Sequence, residues 1–168
     1  MEATAFIAVA LACAPHIHIG TAQALVSVES AFNPWAIGVV GGALDHQPRN
    51  RDEALRTARS LQASGWNFSV GLGQINVRNL TRSGLSIDTA FQPCANLTAM
   101  QRVLTACYSR SADSPHSPAT GQVALRRALS CYYSGDFATG YRDGYVRRVL
   151  KTAATARLFP PTASKEKS

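Results

Sequence analysis

No lysine or arginine occurs in the first 48 residues of this 168-residue chain, and Glu29 is the only formal charge between Glu2 and Asp45. Long apolar runs are equally scarce. The longest, residues 6–14, falls well short of the roughly 20 residues that a membrane-spanning helix requires. It could pass for the apolar part of a signal peptide, because Ala12-Cys13-Ala14 resembles a small-residue cleavage site. A basic start is missing, however, with only Met1 and Glu2 ahead of Ala3, so residues 4–14 read as the first helix of the domain. No CxxC pair is present and no histidine pair stands at zinc spacing, which argues against a metal site. His16, His18 and His46 lack an acid or thiol to complete a ligand set and read as loop histidines. Gly71 and Gly73 are followed by no phosphate-binding lysine, so a nucleotide loop is excluded. With 46% hydrophobic and 16% charged residues, long disorder is excluded too.

What is present is a helical pattern of single-domain length. Residues 4–14 form a short apolar helix that ends at Pro15. Thr21 is a candidate N-cap for a helix carrying Leu25, Val26, Val28 and Phe32, stopped by Asn33-Pro34. Gly38, Gly41 and Gly42 make residues 34–48 a loop, and Asn50 then caps a helix with Ala54, Leu55, Ala58 and Leu61 on one face. Residues 66–70 are β-prone and suit a hairpin strand, and residues 72–80 return to helical spacing. A helix from about residue 95 lines up Leu97, Met100, Val103, Leu104 and Cys107. The Ser- and Pro-rich stretch 111–118 is a loop, helices follow at about 119–134 and 143–157, and residues 159–168 form a frayed tail behind a domain of residues 1–158. Four cysteines, Cys13, Cys94, Cys107 and Cys131, suggest an oxidising compartment and two disulfides. Cys94 and Cys107 would lie about 20 Å apart on one helix, so that pair is disfavoured. Two pairings remain open: 13–107 with 94–131, or 13–94 with 107–131.

All 17 basic residues follow residue 48, together with seven of the ten acids, so the net charge of +7 conceals a local excess of ten. Against that background Glu29 stands out. It sits near the end of an apolar helix between Val28 and Ser30-Ala31-Phe32. A carboxylate with apolar neighbours is poorly solvated, its pKa rises, and it can hold a proton near neutral pH for delivery as a general acid. A plain alternative is a glutamate on the wet side of an amphipathic helix.

Three strings decide between these. Glu29-Ser30-Ala31-Phe32-Asn33-Pro34-Trp35-Ala36 resembles the ESxFNPxA signature of lytic transglycosylases. Ser69-Val70-Gly71-Leu72-Gly73-Gln74-Ile75-Asn76 resembles their SxGLxQIN motif. Ala128-Leu129-Ser130-Cys131-Tyr132-Tyr133-Ser134-Gly135 resembles AYNxG, and Gly144-Tyr145-Val146 the YV that follows. Order and spacing agree from about Phe6 to Leu150. Cys13-Ala14-Pro15, Phe91-Gln92-Pro93-Cys94-Ala95-Asn96-Leu97 and Leu129-Ser130-Cys131-Tyr132 are similar to the VirB1-type branch, which accompanies type IV secretion and conjugation systems.

The resemblance implies a mainly α, lysozyme-like α+β fold: one compact helical domain with a catalytic cleft and at most a very short β-hairpin. It implies cleavage of peptidoglycan glycan strands in the periplasm by a monomer that needs no cofactor or metal. Glu29 matches the catalytic proton donor, Ser69 the serine assisting nearby, Gln74 the glutamine that contacts the glycan, and Tyr132 the tyrosine that hydrogen-bonds close to the glutamate. Two positions depart. Gly73 replaces a Met common in relatives, which implies a missing substrate-facing side chain, and Tyr133 replaces the Asn of AYNxG. No second carboxylate stands in a motif, although Asp45, Asp52 and Glu53 follow nearby; Trp35, Trp66 and Phe68 are either sugar-stacking or core aromatics. Two rival functions remain: a hydrolytic muramidase on the same fold, and a basic conjugation accessory protein that binds nucleic acid. No nucleic-acid motif accompanies the basic excess, and anionic murein accounts for the charge equally well.

Overall fold

The computed structural model describes residues 1–114 and 117–158; the tail expected from residue 159, and two residues of the Ser- and Pro-rich loop, lie outside it. Among the described residues there are eight helices and one small sheet: α1 (Ala3–Cys13), α2 (Ile19–Ser30), β1 (Ile37–Val39), α3 (Arg51–Ala63), β2 (Phe68–Val70), β3 (Ile75–Asn76), α4 (Ile87–Ala90), α5 (Pro93–Ala112), α6 (Gly121–Ser134), α7 (Thr139–Arg142) and α8 (Tyr145–Leu158). This is the mainly helical α+β domain expected.

The first helix belongs to that domain. Phe6, Ala10 and Ala14 recur every four residues and are buried, and the Phe6 ring meets Phe32 edge-on at 5.1 Å. Its C-terminal end is tied to α5 at three successive points. Cys13 is bonded to Cys94, the Cys13 carbonyl accepts from Thr98 Oγ1 (2.8 Å), and His16 N donates to Gln101 Oε1 (2.7 Å). Positions 94, 98 and 101 share one face of a helix, so a single stripe of α5 holds the whole junction. The second disulfide joins Cys107 of α5 to Cys131 of α6. Of the two pairings the sequence left open, the structure contains 13–94 with 107–131.

α2 runs through the interior, with Ala22, Ala24, Leu25 and Val26 buried, and packs on α8 and α1, while α5 packs on α6. Its cap differs from expectation. The helix begins at Ile19, and His18 rather than Thr21 caps it, the ring Nδ1 accepting from Gly20 N at 3.2 Å. Asn50 caps α3 as expected, its side chain accepting from Glu53 N at 2.9 Å. α5 starts two residues early, with Pro93 in its first turn, where a missing N–H costs nothing.

The sheet is where the sequence reading needs correction. It is three-stranded, in the order β1-β2-β3, with both pairs antiparallel, and β1 falls inside the segment expected to be a loop. The Gln47 side chain stands in for a further strand. It accepts from Ile37 N at 2.8 Å and donates to Ile37 O at 2.9 Å, covering the outer edge of β1. Residues 72–80 are not a helix either. Leu72, Ile75 and Leu80 are buried at nearly helical spacing, but Gly71 (φ 78°) and Gln74 (φ 49°) both take the left-handed conformation. The backbone therefore reverses and returns as β3, followed by two short 3₁₀ turns.

Asn96 of α5 holds that reversal from beneath. It is 1% exposed; Nδ2 donates to Val70 O (3.0 Å) and Ala90 O (2.8 Å), and Oδ1 accepts from Gly73 N (2.7 Å). A Cβ on Gly71 would stand 2.2 Å from Asn96 Nδ2, so glycine is required there by contact as well as by φ. Asn96→Ala is expected to lower stability by about 3 kcal/mol, because it removes three hydrogen bonds to buried backbone groups. Denaturant unfolding measures this, and a loss below about 1 kcal/mol contradicts the assignment.

Candidate active site

Glu29 lies in the last turn of α2, and the chain after it reverses sharply through two left-handed residues, Ala31 (φ 48°) and Phe32 (φ 61°). The carboxyl group faces a cleft. Packed against α2 at this point is the start of α8. Asp136 orders the approach to it by accepting from Ala138 N and Thr139 N, both at 2.7 Å. Gly144 (φ 72°) then turns the chain into α8. That path places Tyr145, which is 2% exposed, so that its hydroxyl donates to Glu29 Oε1. One turn further on, Arg148 lies 5.8 Å from the centre of the Tyr145 ring and donates to the Asp143 carbonyl at 3.1 Å.

The electrostatics of this pair follow from burial. Loss of water pushes the Glu29 carboxyl up to about 7, against smaller downward pulls from the Tyr145 hydroxyl bond and the Arg148 guanidinium. Burial also drives the Tyr145 phenol upward, and the adjacent carboxyl adds to that, so Tyr145 acts as a donor and not as a base. A carboxylic acid that is still substantially protonated at neutral pH can release its proton to a basic oxygen and take one back.

The remaining walls come from the sheet and from α6. A cleft of about 240 Å³ is lined by Glu29, Gly38, Val39, Val40, Ser69, Gln74, Tyr132 and Tyr133. All four residues singled out from the motifs therefore meet at one place. Ser69 sits mid-strand in β2, between Gly38 and Asn76 in the register. Asn76 Nδ2 approaches its Oγ at 3.5 Å, which leaves the hydroxyl proton available to the cleft. Gln74 donates from Nε2 to Ala36 O (3.1 Å) and Gly71 O (2.9 Å). Its Oε1 lies 2.7 Å from where a Cβ on Gly38 would stand. Tyr132 hydrogen-bonds beside the glutamate and not to it: its hydroxyl donates to the Gly73 carbonyl at 2.5 Å, and the tyrosine on the carboxyl group itself is Tyr145. The Gly144-Tyr145-Val146 string carried that signal, but only the packing of α8 on α2 identifies the partner.

Gly73 also reads differently in three dimensions. A Cβ there would point inward, 2.9 Å from Met100 Cβ and 3.0 Å from the Tyr132 hydroxyl, and not toward the cleft. A side chain at position 73 would therefore have to displace Met100 or the Tyr132 hydroxyl. Of the three aromatics, Phe68 is core, Trp35 packs partly buried against the core, and Trp66 is 49% exposed. Among the described residues Glu29 is the single carboxylate in the cleft lining. Glu53 instead accepts from Arg49 N at the start of α3 (2.8 Å). A larger cavity of about 360 Å³, between His16, His18, Tyr108 and Gln122, contains none of the motif residues.

The model of the transglycosylase SLT domain matches residues 7–153, a span that includes every cleft residue. The chain belongs to the SLT transglycosylase family. It is similar to the type IV secretion system protein virB1 of Brucella suis biovar 1 (strain 1330), 46% identical over 153 residues, 88% of this chain and 63% of that protein. It is also similar to the protein virB1 of Agrobacterium fabrum, 37% identical over 159 residues, 92% of this chain and 61% of that one. The chain thus spans about three-fifths of the length of these relatives. No solved structure matches. No helix among the described residues of this SLT domain is long and apolar enough to cross a membrane.

Two outcomes test the geometry of the SLT cleft. The folded Glu29 carboxyl keeps its proton up to about pH 7 while the unfolded one ionises near 4.5, so the folded state holds more protons between those values. Stability therefore falls as pH rises through that window. Glu29→Gln removes the loss: it should match the parent protein at pH 4 and exceed it by roughly 2–3 kcal/mol at pH 8, after discounting for partial exposure, in denaturant unfolding at each pH. Gly73→Met, which restores the residue common in relatives, should destabilise by about 1–3 kcal/mol through overpacking against Met100, as measured by the same unfolding.

Proposed function

We propose that the chain is the catalytic domain of a peptidoglycan lytic transglycosylase that opens the cell wall in the periplasm for a type IV secretion or conjugation apparatus. It cleaves the β-1,4 bond between N-acetylmuramic acid and N-acetylglucosamine and leaves 1,6-anhydro-muramyl ends. One observation carries the reading: a half-buried glutamic acid, raised to about pH 7 by loss of water, is the single carboxylate lining a cleft among the described residues. Glycosidases of the usual two-carboxylate kind need a second acid within about 10 Å of the first. A lone acid suffices when the sugar supplies the nucleophile. Glu29 donates its proton to the glycosidic oxygen as the C1–O bond breaks, and the substrate's N-acetyl group stabilises the positive C1. The C6 hydroxyl then bonds to C1 and returns its proton to the Glu29 carboxylate. No water is consumed, and the enzyme ends as it began.

The supporting residues fit these steps. Tyr145 donates to one carboxyl oxygen, which holds the group in place and eases the charged half of the cycle. Ser69 and Gln74 offer a hydroxyl and an amide oxygen to the sugar from the sheet wall, and Tyr132 braces the turn that bears Gln74 through the Gly73 carbonyl. The two disulfides suit an oxidising, extracytoplasmic setting, and the secretion role rests on likeness to the virB1 proteins. The basic excess beyond residue 48 suits an anionic polymer.

The deciding experiment digests purified sacculi with the parent protein and with Glu29→Gln, followed by mass analysis of the released muropeptides. The parent should release anhydro ends, one water lighter than reducing ends, and the variant should fall at least about 100-fold while remaining folded. Reducing ends from the parent would instead identify a hydrolytic muramidase. Activity that survives Glu29→Gln would refute the assignment of the acid.

A further inference from the structure

Tyr133 stands where the family motif has Asn, and the cleft is built around it in a way that an Asn could not reproduce. Its ring is stacked on that of Tyr145, with centroids 4.6 Å apart and planes 18° from parallel. Its hydroxyl reaches Asp143 Oδ2 at 3.4 Å, two residues ahead of Tyr145, in the turn that Arg148 braces from the other side. The far side of the ring is open: Tyr133 is 44% exposed and lines the cleft, whereas Tyr145 beneath it is 2% exposed. From these contacts we infer that Tyr133 is a positioning residue, clamping Tyr145 onto Glu29 and shielding the Glu29–Tyr145 pair from bulk water.

The physical grounds are area and geometry. A stacked aromatic pair is stabilised by roughly 0.5–1.5 kcal/mol beyond its burial, and the stack acts on the ring whose hydroxyl addresses the carboxyl group. An Asn side chain covers far less of that ring and admits water along its face. The groups facing Glu29 are Tyr145 and Arg148 from α8, Tyr132 and Tyr133 from α6, and the neutral Ser69 and Gln74 from the sheet. Of these only Tyr133 is both exposed and stacked, so it is the one whose loss opens the pair to solvent without removing a bond to the carboxyl group. Since burial is the largest influence on Glu29, admitting water lowers its pKa.

The inference rests on the proposed function for its kinetic arm but not for its spectroscopic arm. Tyr133→Asn and Tyr133→Phe are made in the full chain. The Glu29 side-chain carboxyl is then titrated by ¹³C NMR, and initial rates are measured on soluble, uncrosslinked glycan strands. In Tyr133→Asn the Glu29 midpoint should fall by about one unit from its parent value. Its kcat should drop about tenfold while KM changes by less than about threefold, as loss of a positioned acid requires and loss of a sugar contact does not. Tyr133→Phe keeps the ring, so it should retain the parent titration and lose no more than about threefold in rate. A midpoint that stays or rises in Tyr133→Asn overturns the inference, as does a loss confined to KM. If no variant and no parent protein acts on glycan, the titration still decides the positioning role, and only the enzymatic reading falls.

Discussion

Holding one carboxyl group out of water at the open end of a helix is the constraint from which the rest of this domain follows. The group must be dry enough to keep a proton near neutral pH, yet reachable by a polymer. α2 meets the first demand by running through the core, with Leu25 and Val26 fully buried just before Glu29. It meets the second by placing Glu29 in its last turn, at the edge of the cleft, before the chain turns away through two left-handed residues. Every neighbouring element serves that arrangement: α8 brings a hydroxyl to the carboxyl group, α6 brings two tyrosine rings, and the sheet supplies a wall without charge.

The sheet wall is itself an outcome of packing from below. The turn from β2 to β3 contains two residues in the left-handed region, and the backbone groups that such a turn strands are met by side chains: Asn96 from beneath, Gln74 within the turn and Tyr132 from α6. Gly71 and Gly73 are small because Asn96, Met100 and Tyr132 occupy the space that side chains would need. α5 thereby supports the cleft from beneath and carries both disulfides, to α1 at one end and to α6 at the other. The cross-links sit in the framework, and none of the residues lining the cleft is itself cross-linked.

Much of this was legible in the residues. Helical periodicity located the long helices because their buried faces repeat every three to four positions, and Asn50 declared its cap. The isolation of Glu29 in an apolar segment pointed to its perturbed acidity, because solvation depends on near neighbours that the local sequence names. The motifs brought Ser69, Gln74 and Tyr132 to the same cleft as Glu29. Where reading failed, a non-local contact had decided the outcome. Residues 72–80 have apolar spacing close to that of a helix, but Asn96, more than twenty residues away, rewards a turn. β1 exists because β2 and the Gln47 amide pair with its two edges.

The same division separates what the chain determined on its own from what folding decided. Composition, periodicity and motif order were sufficient for a helical domain, a lone buried acid and two disulfides narrowed to two pairings, since each depends on spacing along the chain. The pairing itself, the tyrosine that addresses Glu29 and the direction in which position 73 points were not. Each depends on which surfaces of distant helices meet: α5 on α1 and α6 for the cysteines, α8 on α2 for Tyr145, α5 under the sheet for Gly73. Near neighbours set the desolvation that perturbs an acid, but its hydrogen-bond partner can come from 116 residues away, and only the packed core chooses it.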